Sequence, residues 1–302
     1  MPKPSRGTGT PKMRIAAAAL ACWSAAACGR LGGGEAPSAP TPLTPATPVL
    51  YTAIGASDAL GIGSSAPCAP FVDCPNGMGY PQIVLRALKA RGFTATLSNL
   101  GIPTAVIGPD FEALGQQYNR YIAANFIERE MPFVQAGSTL VTIFAGGNEV
   151  NTVTAALGAG AGGTDPAGYI DRQVAAFAAD YQTLVDGIRG RASGARLVVL
   201  NLPNLAGAPY LTGASAGQKQ AAQRLAVGMT AAINAFAARN VAVIDLMCDP
   251  RTYQASTYSS DGFHPSDAGY AFIADEIVSA ALDPAYPPPR ASCPQNTLIQ
   301  GP

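Results

Sequence analysis

The chain has 302 residues, of which 48% are apolar and 13% charged, enough to bury one large core and too apolar to be disordered away from its ends. Lys plus Arg and Asp plus Glu stand at 19 each, so there is no basic field to hold phosphates and no acidic surface to attract polycations, which argues against a nucleic-acid partner. One globular domain with tails is the expectation.

Residues 1–28 carry Lys3, Arg6, Lys12 and Arg14 and no acid, then "IAAAALACWSAAAC", an apolar run too short to span a bilayer. This is the pattern of an export signal, whether translation begins at Met1 or at Met13. The run ends in Ala26-Ala27-Cys28 and resembles the lipobox of bacterial lipoproteins, with Ala25 where that family usually has leucine. The resemblance implies a diacylated Cys28 as the new N-terminus and attachment to a membrane by a lipid anchor; the alternative is an ordinary cleaved signal. Residues 29–48, "GRLGGGEAPSAPTPLTPATP", are rich in Gly, Pro, Ser and Thr and cannot build a core, which suits a tether.

Of the six cysteines, removal of Cys22 and lipidation of Cys28 leave Cys68, Cys74, Cys248 and Cys293. An even number in an oxidising compartment favours two disulfides. Three pairings exist, and the short loop between Cys68 and Cys74 favours 68–74 with 248–293, the second fastening the C-terminal tail. No paired C-x-x-C exists and there is a single histidine, so a zinc site is not expected.

From residue 49 onward, short apolar runs alternate with longer helical stretches. "VLYTAI" (49–54) reads as a first strand, 80–92 as a helix ended by Gly92, 94–101 as a second strand and 110–130 as helical. "STLVTIFAGGN" (138–148) reads as a third strand buried on both faces, 169–191 as an amphipathic helix, 195–203 as a fourth strand, 216–240 as a long helix, 241–246 as a fifth strand and 266–281 as a last helix. The stretches 151–168 and 203–217 read as pocket-shaping loops, the first too Gly- and Ala-rich to be rigid. Alternating strands and helices imply a parallel sheet covered on both faces, with ligands at the carboxyl ends of the strands.

Those strand exits carry the chemistry. The first leads into Gly55-Ala56-Ser57-Asp58, the second into Asn99-Leu100-Gly101, the third into Gly146-Gly147-Asn148-Glu149, and the fifth, within one turn-rich loop, into Asp261-Gly262-Phe263-His264. His264 is the sole imidazole and the natural base near neutral pH. Asp261, three residues earlier, is placed to fix its tautomer, and Pro265 holds His264 out of the last helix. Ser57 becomes a nucleophile when such a base accepts its proton. The peptide N–H groups of Ser57 and Gly101 and the side-chain amide of Asn148 are candidate donors to an oxyanion.

These ordered motifs, "IGASDALG", "NLG", "GGNE" and "DGFHP", resemble those of the SGNH or GDSL hydrolases, across about 51–281. The resemblance implies a flavodoxin-like three-layer α/β/α sandwich with a five-stranded parallel sheet. It also implies hydrolysis of carboxylic esters without metal or other cofactor, with Ser57, Asp261 and His264 as the triad and Ser57, Gly101 and Asn148 as the oxyanion hole. Two departures stand out: Ala56 replaces the family's Asp before the serine, with Asp58 after it, and Glu149 replaces the Asp of the G-x-N-D block.

The expected layout is an export signal over 1–28, a linker over 29–48, the hydrolase domain over 49–284 and a tail over 285–302. The expected product is an exported, monomeric esterase, lipase or carbohydrate deacetylase acting on a small-molecule, glycan or lipid ester, either lipid-anchored or free. The same triad serves an acyltransferase, and a catalytically silent glycan- or lipid-binding protein is the reading from a different class. The G-x-S-x-G elbow of α/β-hydrolases would make Asp245 the acid, but an elbow serine normally follows several strands and Ser57 ends the first. Asp58 is expected to face solvent or bind local backbone, and Tyr210, Tyr253, Tyr258 and Phe263 are candidate pocket walls. Asp165, Asp171 and Glu149 are too scattered for a cation site.

Overall fold

The structure, a computed structural model, describes residues 42–298. The expected export signal, Cys28 and most of the expected linker lie outside the described residues. Five parallel strands form the sheet: β1 (Val49–Gly55), β2 (Ala95–Asn99), β3 (Leu140–Phe144), β4 (Arg196–Leu200) and β5 (Ala242–Ile244), in the order β2-β1-β3-β4-β5. The order reverses between β1 and β3, and in doubly wound sheets the crevice at such a switch point is where ligands bind.

Side chains alternate across the sheet, as a period of two requires. Tyr51, Ala53, Leu140, Val198, Leu200 and Ile244 pack on one face with α1 (Tyr80–Ala90) and α7 (Asp267–Leu282). Ile54, Val141, Ile143, Leu197, Val199 and Val243 pack on the other. That second layer is built from α2 (Pro109–Gln117), α3 (Phe126–Arg129), α4 (Gly147–Gly158), α5 (Pro166–Arg191) and α6 (Ala216–Asn234). The three-layer α/β/α architecture and the all-parallel sheet are those expected.

Two stretches differ from the sequence reading. Residues 110–130 are not one helix: α2 stops at Gln117, where Asn119 turns the chain with φ 55°, and α3 starts only at Phe126, capped by Asn125 accepting the Glu128 N–H at 2.9 Å. Of the expected loop 151–168, residues 151–158 belong to α4, because Val150, Val153 and Ala156 recur at helical spacing and are buried against the core; 159–165 are a turn and 166–168 begin α5. Both disulfides form in the expected pairing, Cys68–Cys74 and Cys248–Cys293.

Candidate active site

The hydrophobic strand β1 ends at Gly55, and the chain turns at Ala56 into a 3-10 turn, Ser57–Leu60, so Ser57 sits where peptide N–H groups have no intrahelical partner. Its side chain is almost wholly buried, with Oγ 2.9 Å from His264 Nε2. His264 Nδ1 lies 2.6 Å from Asp261 Oδ2. The other carboxylate oxygen, Oδ1, accepts from Ser259 Oγ at 2.8 Å and from the peptide N–H groups of Phe263 and His264 at 2.8 and 2.9 Å. Partial burial raises the Asp261 pKa, but these bonds outweigh it and hold the carboxyl at about 2. It stays ionised at any working pH.

The turn that brings Asp261 to His264 depends on Gly262, whose φ is 71° and whose missing Cβ would lie 2.7 Å from the peptide nitrogen of Tyr210. Rings then hold the imidazole from one side: Phe263 meets His264 edge-to-face at 5.0 Å, and Tyr210 meets Phe263 likewise at 5.0 Å. On the other side of the histidine, Ser266 caps α7 by accepting the Gly269 N–H. The loop is therefore fixed at both ends.

Gly101 follows β2 and packs directly on the Ser57 turn. A Cβ there would lie 2.8 Å from that of Ala59 and 3.2 Å from the Ala56 carbonyl, so the approach needs glycine. Its N–H donates to Asn99 Oδ1 at 3.1 Å; to serve an oxyanion, that hydrogen must be shared with Asn99. Asn148, on the first turn of α4, donates from Nδ2 to the Ala105 carbonyl at 2.9 Å and accepts at Oδ1 from Arg120 Nη2 at 3.3 Å. One Nδ2 hydrogen remains for a ligand.

Glu149 is fully buried, and its Oε1 accepts the Ile107 N–H at 2.5 Å. It thereby ties the start of α4 to the 105–107 segment that Asn148 also touches. Burial raises its pKa from 4.5 to about 7, against the hydrogen bonds from backbone N–H groups that lower it. Because the fold favours the neutral acid, its contribution to stability is full below pH 4.5 and lost as pH rises through about 7. A shift of that size corresponds to about 3 kcal/mol. Glu149→Gln should therefore flatten the fall in unfolding free energy between pH 4.5 and 7, measured by denaturant titration. Asp180, raised by burial to about 6, contributes to the slope in both proteins, so their difference isolates Glu149. An unchanged difference across that range would contradict this assignment.

Asp58 is half-buried, and its carboxylate bonds local backbone, the second of the two expectations. It lines an apolar cavity of about 60 Å³ with Ala105, Phe144, Asn148, Phe263 and Pro265, where burial raises its pKa against the opposing pull of His264. Tyr258 lines the same cavity. Tyr253 is structural, donating to the Met247 carbonyl at 2.7 Å and accepting the Asn204 N–H at 2.9 Å. Asp245 stands apart from His264: it accepts from Asn201 Nδ2 and from the Cys248 and Arg290 N–H groups, which anchors the tail. Asp165 caps α5 and Asp171 pairs with Arg224 at 2.8 Å, so neither joins Glu149 in a cation site.

Sequence reading missed two contributors. Glu130, buried in the core, accepts the Gly55 N–H at 2.9 Å and so braces the strand end before Ser57. Burial raises its pKa well above the usual carboxylate range. Arg120 reaches Asn148 from a loop 28 positions earlier. A charge alone in a polar stretch, "QQYNRYI", gives no periodicity or spacing from which that contact could be read.

Residues 53–272 match the GDSL-like Lipase/Acylhydrolase family. The chain belongs to that family of hydrolases. Among solved structures it is similar to a lipase, Lip_vut3, from a goat rumen metagenome, at 17% identity and a TM-score of 0.53, covering 78% of this chain and 98% of that one. It is similar also to an extracellular lipase from Streptomyces rimosus, at 19% identity and a TM-score of 0.52, covering 77% and 99%. Phospholipase A1 from Streptomyces albidoflavus NA297 aligns at 16% identity and a TM-score of 0.50, covering 76% and 100%. At these identities the likeness is one of fold. No match was found among curated proteins.

Proposed function

We propose that this protein is an exported serine hydrolase that cleaves carboxylic esters through an acyl-enzyme on Ser57. The observation that carries the reading is the unbroken chain from Ser57 Oγ to His264 Nε2, 2.9 Å, and from His264 Nδ1 to Asp261 Oδ2, 2.6 Å. Ser57 Oγ attacks the ester carbonyl while its proton passes to His264 Nε2, and the carbonyl electron pair moves onto oxygen. The tetrahedral intermediate collapses as the alkoxide leaves with the proton from Nε2. Water then attacks the acyl-enzyme by the same steps and frees the acid and Ser57. Asp261, ionised throughout, stabilises the imidazolium that forms. Asn148 Nδ2 and the Ser57 and Gly101 N–H groups receive the oxyanion.

Export is supported by the leader-like residues 1–28 and by two disulfides that suit an oxidising compartment. With Cys28 diacylated, the domain would hang from a membrane on the 29–48 tether. The substrate is an ester of a lipid, a sugar or a small alcohol. Purified protein is tested on p-nitrophenyl esters from acetyl to palmitoyl. Turnover falling with chain length would mark a deacetylase-type esterase, and turnover rising with it a lipase. Absence of turnover on every ester would favour a catalytically silent binding protein.

A further inference from the structure

The Asn148 amide has a defined orientation because its two partners differ in kind. A guanidinium can only donate and a carbonyl can only accept, so Arg120 Nη2 at 3.3 Å and the Ala105 carbonyl at 2.9 Å assign oxygen and nitrogen without ambiguity. Exchange of the two would set like against like at both contacts. The cation is placed with some precision. The Asn119 turn, with φ 55°, and the Arg120 N–H bond to the Gly115 carbonyl at 2.8 Å fix where the side chain leaves the loop.

That position is costly for a charge. Arg120 is half-buried, burial lowers its pKa, and among the described residues its Nε is buried without a hydrogen-bond partner. Among the described residues it joins no ion pair. The nearby acid is Glu149, which is committed to the Ile107 N–H. A guanidinium kept half-desolvated and, among the described residues, outside any ion pair, yet bonded to an oxyanion-hole amide, complements a negative charge that appears only during reaction.

We propose that Arg120 is the positioning residue of the oxyanion hole, locking the Asn148 amide with its free Nδ2 hydrogen toward the reacting carbonyl oxygen and polarising that N–H. This rests on the reading of Ser57 and Asn148 given above. Arg120 acts through Asn148, so its removal weakens the transition state and leaves substrate binding in place.

The experiment measures steady-state hydrolysis of p-nitrophenyl acetate by wild type, Arg120→Met, Arg120→Lys and Ser57→Ala, with inhibition by a trifluoromethyl ketone. Attack of Ser57 on that ketone forms a C–O bond, passes the proton to His264 and leaves an alkoxide in the oxyanion hole. Because loss of one oxyanion donor costs about 100- to 1,000-fold in kcat, disturbing its orientation should lower kcat of Arg120→Met by about 10- to 100-fold. KM should stay within about twofold. Affinity for the ketone should fall in step with kcat, Arg120→Lys should recover part of both, and thermal midpoints should stay close to wild type. Unchanged kcat and ketone affinity in Arg120→Met would overturn the proposal, as would a rise in KM alone, which would make Arg120 a substrate contact. A cooperative loss of fold in Arg120→Met but not in Arg120→Lys transfers the same decision to the lysine variant. If wild type itself shows no turnover that Ser57→Ala abolishes, the underlying hydrolase reading fails, and the Arg120 proposal with it.

Discussion

Ser57→Ala and His264→Ala should each lower kcat by about 10⁶-fold, to the level that binding and the oxyanion hole sustain alone. The reason is geometric. Among the described residues Ser57 Oγ has one proton acceptor at bonding distance, His264 Nε2 at 2.9 Å, and the chain has no second histidine. Since the two act as a unit, the double variant should be no slower than either single one. Thermal midpoints should barely move: Ser57→Ala removes one hydroxyl, and His264 meets Phe263 by ring contact while its turn is held by backbone bonds to Asp261. Steady-state assays with circular dichroism melts check both halves. A folded Ser57→Ala variant that retains turnover would remove Ser57 from the mechanism.

Asp261→Asn should cost about 10⁴-fold in kcat with the site's shape preserved. Asparagine Oδ1 can go on accepting from Ser259, Phe263 and His264, the three donors that shape the turn. Its amide then faces Nδ1 where Oδ2 stood at 2.6 Å. An amide donor there forces the tautomer with Nδ1 bare and Nε2 protonated, and that imidazole cannot accept the serine proton. The variant should therefore bind ester with near-normal KM and react slowly. Pre-steady-state release of p-nitrophenol should slow as well as kcat, because acylation and deacylation both need Nε2 as a base. A variant reacting at wild-type rate would show that Asp261 only builds the loop.

The skeleton of this site was legible because it is carried by local patterns. Apolar runs with small-residue exits mark the strands, and four of the five exits each bring one chemical group: Ser57, Gly101, Asn148 and His264. A parallel sheet gathers such exits at one end. What was not legible depends on pairings distant in sequence. Arg120 with Asn148 and Glu130 with Gly55 join loops whose packing no periodicity reports. The Gly- and Ala-rich residues after Asn148 illustrate a different failure. Their composition suggested a flexible loop, but burial of Val150 and Val153 organises them as α4 and so places Asn148 on a helix start. Glu149 was visible as a departure from the family's block; that it lies fully buried on the Ile107 N–H was not.

The most direct test of the central claim is active-site labelling. The protein is incubated with a fluorophosphonate, digested, and the modified peptide identified by mass spectrometry. An activated Ser57 displaces fluoride and carries the phosphonyl group, so a single adduct on Ser57, absent from His264→Ala, is the predicted result. Labelling at another serine, or none on folded protein, would contradict the account.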